Sequence, residues 1–550
     1  MIRSVAWVVL VVAVFLATTA FRFLNLKNGF PDDHYVHLAG GWQMTFGEWP
    51  TRDFVDPGLP AMFAASAAAQ WLLGDTLYSE VVLVAVAFAA AAAFTMLAVR
   101  QLTRSMILAL LAAIAEVAIV PRTYGYPKLL LYAVGFWLMT RYAVRPTIAR
   151  AATMAAVVVI AFLFRHDHGL FLGTGGLLVA ALSTKERNVR AVLRSSGIFA
   201  GLVALCLLPY VIFIEAYMGL GLYIRTGIEF SRAEAARQGH VWPSLFGENR
   251  LQAALLYECY LIPLIALTVV ALDRRREVIA QIVPIAFVAL MVDFGFIREP
   301  LGTRLPDAIV PLVVLGAWLI GRAWAPGRPV QKDRPYDQED RPYVPKDRPY
   351  DVHRLIAIPV SVAAVVVVGA SIVRAGSTVE ELDRAALLAP WGTIPGRFGE
   401  RVEQYRTRFE DYLIPSGEVL QLVPFFDYLD RCTTRTHRLL NVGFAVEVPY
   451  FARRAFAGGI SYFAGYPAIP ELDQRVLTKM RSEVVPFVLV ASEFASEFAL
   501  RFPLTERYVR VRYTPLLDVK IRDDLTMHIL VDPNLPSRGR DQATGYPCFA

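Results

Sequence analysis

Eleven apolar segments constrain the fold of this chain more than any other feature of its sequence. They cover residues 4–24, 76–99, 106–120, 127–143, 151–164, 169–183, 196–215, 251–272, 278–296, 305–324 and 355–373. A helix needs about 20 mainly apolar residues to cross a bilayer. Only 19% of the 550 residues are charged, whereas a soluble domain carries about 25%. The sequence predicts a polytopic α-helical membrane protein with about 11 transmembrane helices. The apolar segment 60–73 is too short to cross and is expected to lie at the interface or re-enter.

The loops between these segments differ in charge, and this difference predicts the orientation. With the N-terminus in the cytoplasm, the inside loops 100–104, 141–150, 184–194 and 273–277 are all basic. Lys and Arg in short loops favour the cytoplasmic side. Loops 25–75 and 216–250 and the C-terminal residues 376–550 then lie outside a plasma (inner) membrane. The net charge of +7 follows from this topology, and no aromatic-basic motif indicates nucleic acid.

Residues 1–375 form the predicted transmembrane module, and residues 376–550 are long enough for a separate extracytoplasmic domain. Strand-like runs at 438–444, 485–491, 507–513 and 527–532, with a helix-like run at 448–456, predict an α/β domain. Cys432 and Cys548 both fall in this domain, where oxidation is expected. We expect them to form a disulfide, and two separate buried thiols are the alternative.

Residues 328–353 differ in composition from the rest of the chain. The tetrapeptide DRPY occurs three times, starting at Asp333, Asp340 and Asp347. Proline lacks a backbone donor, and the segment has little apolar content to bury. We expect a flexible cytoplasmic loop over 325–354, and binding through the repeated tyrosines is the alternative.

Acidic residues cluster in the first external loop. Asp32 and Asp33 follow the first apolar segment directly, and Asp53 and Asp56 follow about twenty residues later, beside Arg52. Charges close to a bilayer cost several kcal/mol unless they face water, protein or a ligand. These acids therefore indicate a site, and a hydrophilic loop that caps the bundle is the alternative.

A second ionisable cluster, Arg165, His166, Asp167 and His168, separates two apolar segments at their outer ends. Arginine binds phosphate in a forked geometry and stays charged near lipid, and a carboxylate can deprotonate a hydroxyl. Acids, a phosphate-binding arginine and a membrane together suggest a lipid-phosphate substrate used at the outer surface. The alternative is an Arg165–Asp167 pair that stabilises the helix ends.

The first external loop resembles that of the GT-C superfamily of membrane glycosyltransferases, near the protein O-mannosyltransferase and aminoarabinose transferase type. The resemblance rests on the run DDHY at 32–35, the glycine-containing stretch 40–47 and the run RDFVDP at 52–57. It implies transfer of a sugar, with inversion, from a polyprenyl-phosphate donor to a glycan, lipid or protein acceptor. Loop 121–128 departs from the pattern, because relatives often carry an acid there and this chain has none.

The resemblance implies that Asp32 is the catalytic base and Asp33 its neighbour, and that Arg122, Lys128 and Arg165 hold the phosphate. The long loop 216–250 suits a lid over a substrate cleft. Together these arguments predict a set of substrate-binding residues, which are Tyr35, Arg52, Asp53, Asp56, Arg122, Lys128, Arg165, Asp167, His168, Tyr223 and Arg225.

The sequence implies no particular cofactor, and a divalent metal is the candidate that its residues offer. His34 and His37, with Asp33, have the spacing of ligands on one helix, although such a histidine pair is more often structural. Two other functions stay open at this point. One is a transporter or flippase for lipid-linked sugars, which would be expected to show internal repeats. The other is a non-catalytic scaffold in cell-envelope assembly.

Overall fold

The computed structural model describes residues 2–26, 30–184, 186, 188–236, 242–273, 275–297, 305–324, 350–408 and 417–550. The DRPY repeats cover residues 333–350, and all of these except Tyr350 lie outside the described residues. The N-terminal part forms helices α1 Ile2–Asn25, α2 Asp32–Thr45, α3 Pro60–Leu73, α4 Leu77–Thr103, α5 Met106–Ala118, α6 Tyr126–Val144, α7 Ile148–Phe164, α8 His166–Leu182, α9 Val189–Tyr217, α10 Leu220–Ala236, α11 Arg250–Asp273, α12 Arg276–Asp293, α13 Ile309–Trp324 and α14 Tyr350–Ala375.

Each of the eleven apolar segments coincides with one of these helices. Within the described residues, six helices are long and apolar enough to cross a membrane, namely α1, α4, α9, α11, α12 and α13. Helices α5 and α7 are apolar but shorter. The count of about 11 crossings therefore stays a prediction.

Helix α4 packs against α1, α5, α6 and α13. Its buried face is rich in alanine, including Ala85, Ala89 and Ala92. Small side chains let helix backbones approach closely where lipid offers no hydrophobic driving force. The bundle is therefore built around α4.

Two short helices, α2 and α3, lie between α1 and α4 and hold the first loop. Gly40 and Gly41 of α2 lie against α3 so closely that a Cβ on Gly40 would be 2.3 Å from the Phe63 ring. His34 Nε2 lies 2.7 Å from Glu80 Oε1 of α4, which also accepts a hydrogen bond of 3.0 Å from Ser66 of α3. These contacts fix α2 on the bundle.

The C-terminal part contains helices α15 Thr378–Arg384, α16 Ile394–Arg406, α17 Gly417–Cys432, α18 Val448–Phe451, α19 Pro470–Ser482, α20 Ala495–Arg501 and α21 Pro503–Arg512. Its strands are β1 Arg438–Val442, β2 Ala455–Phe456, β3 Phe487–Ala491, β4 Thr514–Arg522, β5 Leu525–Val531, β6 Gly539–Arg540 and β7 Pro547–Cys548. Five of them form a sheet of order β2-β1-β3-β5-β4. β1 pairs in parallel with β2 and β3, and β5 is antiparallel to β3 and β4.

The predicted strand at 507–513 is wrong, because residues 503–512 form helix α21. Pro503 occupies the first turn, where a missing backbone donor costs nothing. The carboxylate of Asp473 on α19 accepts hydrogen bonds from the backbone N–H groups of Leu504 and Thr505, at 2.8 and 3.1 Å. A cap from another helix therefore outweighs the alternating pattern. The helix-like run 448–456 is also shorter than predicted, since α18 ends at Phe451 and β2 follows.

A disulfide joins Cys432, at the end of α17, to Cys548, in β7. The backbone N–H of Phe549 also donates to the carbonyl of Cys432 at 2.7 Å. The Phe549 ring packs against Phe487 of β3 with centroids 5.6 Å apart. The pairing expected from the sequence is thus present and ties the C-terminal residues to the sheet.

Candidate functional site

The first loop turns back on itself through Asp53. Its carboxylate accepts hydrogen bonds from the backbone N–H of Trp49 at 2.8 Å and from Arg52 Nε at 2.7 Å. Arg52 also donates to the Gly47 carbonyl at 2.9 Å. Arg52 and Asp53 therefore hold the turn, and they lie away from the cation-lined cavity described below.

Asp56 organises the end of the loop. One carboxylate oxygen accepts hydrogen bonds from the backbone N–H groups of Gly58 and Leu59 at 2.9 and 2.8 Å, just before α3 begins. The other lies 3.3 Å from the hydroxyls of Tyr210 and Tyr223. Burial raises the pKa of Asp56, and these hydrogen bonds oppose the rise.

Tyr223 connects Asp56 to a second element, because its hydroxyl also lies 3.3 Å from His166 Nε2. We call Asp56, His166, Tyr210 and Tyr223 the Asp56 cluster. It brings the first loop to the start of α8 and to helices α9 and α10. Tyr210 was not predicted; the only sequence signal is a hydroxyl within a long apolar segment.

Residues 220–236 form helix α10, so the prediction of a loop over 216–250 is wrong for this stretch. The carboxylate of Glu215 accepts a hydrogen bond of 2.8 Å from the backbone N–H of Leu220 and caps the helix. Tyr223 and Thr226 point inward and are buried. Arg225, whose side chain is 55% exposed, lies 3.7 Å from Glu471 of α19 and contacts the C-terminal domain.

A narrow cavity of about 40 Å³, which we call the bundle cavity, opens among α2, α3, α6, α7 and α8. Its lining includes three residues predicted to bind phosphate or substrate, Lys128, Arg165 and His168. His37 and Tyr124 also line it. The structure therefore brings residues from three separate parts of the sequence to one place.

Both cations of the bundle cavity are paired with carboxylates. Lys128 Nζ lies 2.6 Å from Asp307 Oδ2, and Arg165 Nε lies 3.0 and 3.1 Å from the two oxygens of Asp167. The Arg165–Asp167 pair considered from the sequence is thus present. The Asp167 carboxylate contacts only the Nε atom of Arg165, and the two Nη atoms of Arg165 make no hydrogen bond to the described residues.

His168 and His37 complete the polar lining. His168 Nδ1 is hydrogen-bonded to the Tyr132 hydroxyl. His37 is 7% exposed, and within the described part of the chain its Nδ1 has no hydrogen-bond partner. Burial lowers the pKa of His37 well below its usual value, and the neighbouring His34, Arg165 and Lys128 lower it further. The lowered pKa favours a neutral imidazole at His37, whose Nδ1 is buried without a hydrogen-bond partner among the described residues.

Asp33 lies near the bundle cavity but faces elsewhere. It is exposed and lines a larger cleft of about 440 Å³ between α2, α10 and the C-terminal sheet, which we call the interdomain cleft. Burial raises the pKa of Tyr124, and the Asp33 carboxylate adds to this rise while Arg122 opposes it. Asp33 and His37 of the same helix thus line two different cavities. Asp32 begins α2, and its side chain lies outside the described residues.

Tyr35 and the candidate metal ligands are placed differently from what their predicted roles require. Tyr35 is fully buried, its ring packs 5.4 Å from that of Phe451, and it is not part of the lining of the bundle cavity. Asp33 is exposed, whereas His34 and His37 are buried, and His34 is engaged by Glu80. Among the described residues no group of three or more potential ligands is placed to hold a metal ion. Arg122 is exposed and donates to the Tyr124 hydroxyl at 3.2 Å, at the rim of the bundle cavity.

Side chains of helix α19, in the C-terminal domain, bind backbone carbonyls of the first loop. Lys479 Nζ donates to the Asp53 carbonyl at 2.6 Å, and Arg475 Nη2 donates to the Arg52 carbonyl at 2.7 Å. The backbone N–H of Val55 donates to the Gly459 carbonyl at 2.8 Å. We call these contacts the loop clamp. Sequence reasoning missed them because backbone carbonyls carry no residue signature.

The first loop is also joined to the sheet by charges. Glu48 Oε1 lies 2.6 Å from Arg438 Nη2 and Glu48 Oε2 lies 3.1 Å from Lys479 Nζ. Glu483 lies within 3.3 Å of Arg438 and 3.6 Å of Lys479. Burial raises the pKa of Glu483, and the nearby charge of Arg438 opposes this rise. The alternating charges link the loop, β1 and α19.

No protein-family model and no curated protein matches the chain. Among solved structures it is similar to ArnT from Cupriavidus metallidurans bound to undecaprenyl phosphate, with a TM-score of 0.51 and 14% identity over 96% of this chain and 98% of that one. A second similarity is to the Archaeoglobus fulgidus oligosaccharyltransferase in complex with Zn and sulfate, with a TM-score of 0.39 and 10% identity over 92% of this chain and 71% of that one. At that score the two folds agree too loosely to support an inference.

The similarity to ArnT extends over nearly the whole of both chains. The chain therefore has an ArnT-like fold, which agrees with the fold that the resemblance of the first loop predicted. Together with the long apolar helices, this fold identifies a multi-pass membrane protein.

Proposed function

We propose that this protein is an inverting glycosyltransferase that moves a sugar from a polyprenyl-phosphate donor to an acceptor at the outer face of the membrane. The observation that carries the proposal is the bundle cavity, where Lys128, Arg165 and His168 meet His37 of α2. The ArnT structure with the same fold holds undecaprenyl phosphate, which supports this class of donor.

The bundle cavity suits the phosphate of such a donor. A volume of about 40 Å³ has room for about three waters, which is the scale of one small anionic group. Arg165 is held by Asp167 through Nε, so its two Nη atoms are oriented for a second, forked interaction. Lys128 supplies a point charge, and the neutral His37 supplies a hydrogen bond.

The acids at the start of α2 supply the base in this proposal. Asp32 accepts the proton of an acceptor hydroxyl, and Asp33 orients the site. The hydroxyl oxygen then bonds to the anomeric carbon of the donor sugar. The bond from that carbon to the phosphate oxygen breaks, and its electron pair leaves with the phosphate in the bundle cavity. Attack opposite the leaving group inverts the anomeric configuration.

The sidedness is also part of the proposal. The basic loops between helices lie on the cytoplasmic side, which places the first loop, the Asp56 cluster and residues 376–550 outside a plasma (inner) membrane, with about 11 crossings. Cysteine labelling from outside should reach residues in 376–550 and should not reach the DRPY repeats. Labelling of the repeats from outside would contradict this topology.

The test of the function is transfer by the full-length protein in lipid nanodiscs with a labelled polyprenyl-phosphate sugar. We expect a labelled product that forms only when the polyprenyl-phosphate donor is present and that carries an inverted linkage. The Arg165→Ala variant should lose this product. Movement of the intact donor across the bilayer without transfer would instead identify a flippase. Binding of envelope components with neither activity would identify a scaffold. A parallel reaction with chelator tests for a divalent-ion requirement.

A further inference from the structure

The interdomain cleft lies where the topology of the C-terminal sheet favours a ligand. In the order β2-β1-β3, the chain runs from β1 to β2 on one side and then crosses to β3 on the other side of β1. The strand order therefore reverses at β1. Ligands of open α/β sheets bind outside the carboxyl ends of parallel strands, at the point where the strand order reverses. The residues that follow β1, including Phe444 and Glu447, and those that end or follow β3, including Glu493 and Phe494, line this cleft.

The lining combines aromatic rings and carboxylates. Phe230 of α10, Phe444, Tyr462 and Phe494 supply the rings, and Phe444 and Tyr462 meet edge to face with centroids 5.2 Å apart. Such surfaces, with a few placed polar groups, are typical of small-molecule sites. Rings pack against the C–H faces of a sugar, and carboxylates accept hydrogen bonds from its hydroxyls.

The charge of the cleft selects among acceptors. Asp33, Glu447 and Glu493 are acidic, and Arg522 lies 3.3 Å from Glu493, so carboxylates outnumber cations. Like charges across an interface disfavour the wrong partner. The lining therefore disfavours a phosphorylated or carboxylated acceptor and favours a neutral one.

We infer that the interdomain cleft binds a neutral oligosaccharide acceptor. The inference rests on the proposed function and names its acceptor class. Asp33 of α2 lines this cleft, and His37 of the same helix lines the bundle cavity. Helix α2 thus borders both the proposed donor site and the proposed acceptor site. The C-terminal domain contributes the acceptor side of the active site.

The test is binding of mannotriose to the full-length protein in nanodiscs, by saturation-transfer NMR, with and without undecaprenyl phosphate. We expect binding in both conditions. Glu493→Gln removes a charged hydrogen-bond acceptor, and Phe494→Leu keeps apolar volume but removes the ring. Each should weaken mannotriose binding about ten- to hundredfold. Glu506→Gln is the matched control, because Glu506 pairs with Arg510 in the same domain outside the cleft.

Absence of mannotriose binding, or binding that neither variant weakens, would overturn the inference. Preference for trigalacturonate would overturn the charge argument, and preference for a threonine-containing heptapeptide would reassign the cleft to a protein acceptor. Loss of donor transfer with mannotriose binding intact would count against the proposed function alone. Transfer from the donor to water without mannotriose binding would count against this inference alone.

Discussion

The loop clamp predicts that the C-terminal domain controls the conformation of the first loop. Lys479 donates hydrogen bonds to the Asp53 carbonyl at 2.6 Å and to Glu48 at 3.1 Å, with a side chain that is 20% exposed. Lys479→Met keeps the apolar stem and removes both bonds. A hydrogen bond to a charged group contributes about 1.5–3 kcal/mol. Because Arg475 still holds the loop, we expect a local loss of about 2 kcal/mol.

That loss can be measured at one amide. The backbone N–H of Val55 donates to Gly459 within the clamp, and its exchange with solvent requires the loop to detach. A local loss of about 2 kcal/mol corresponds to roughly 30-fold faster exchange. We expect this acceleration at Val55 and a fall in transfer kcat, with partial rescue by Lys479→Arg.

Two further variants separate the clamp from general stability. Gly459 has φ +67°, and a Cβ there would lie 2.5 Å from the Asp53 carbonyl oxygen, so Gly459→Ala should accelerate Val55 exchange as well. Lys520→Met is the control, since Lys520 is 69% exposed in the same domain. Unchanged Val55 exchange in Lys479→Met, or equal acceleration in Lys520→Met, would refute the clamp.

Three other predictions concern the acids and cations of the chain. Asp32→Asn should lower the transfer rate about 100- to 10,000-fold with unchanged thermal stability, and Asp33→Asn should lower it less. The opposite ranking of the two variants in a transfer assay would assign the base to Asp33. Arg165→Ala should raise the Kd for undecaprenyl phosphate and Arg165→Lys should restore it only in part, and equal affinities would remove Arg165 from the phosphate site. Hydrogen bonds from Arg431 lower the pKa of Asp541 to about 2, below its unfolded value of about 3.9. Asp541 therefore stabilises the fold above pH about 4 and loses this effect as the pH falls toward 2, so acid unfolding of wild type and Asp541→Asn should converge in that window.

The sequence by itself determined the helical bundle. All eleven apolar segments are helices in the structure, because the apolar content of a continuous stretch is a local property that each segment carries alone. The acid-rich first loop and the outer cluster at 165–168 were also recognisable, since ionisable residues next to apolar segments are conspicuous. The similarity to the ArnT fold agrees with what those residues predicted.

Only the tertiary structure decided what these polar residues contact. Residues 507–513 alternate like a strand, yet Asp473 from another helix caps them as part of α21. Tyr35 is buried beneath the C-terminal domain, and Lys479 reaches a backbone carbonyl of a loop more than 400 residues away in the chain. A local pattern determines the free-energy cost of leaving a side chain in water or lipid. The residue that this side chain contacts is determined by the packing of distant segments, which no single stretch of the sequence specifies.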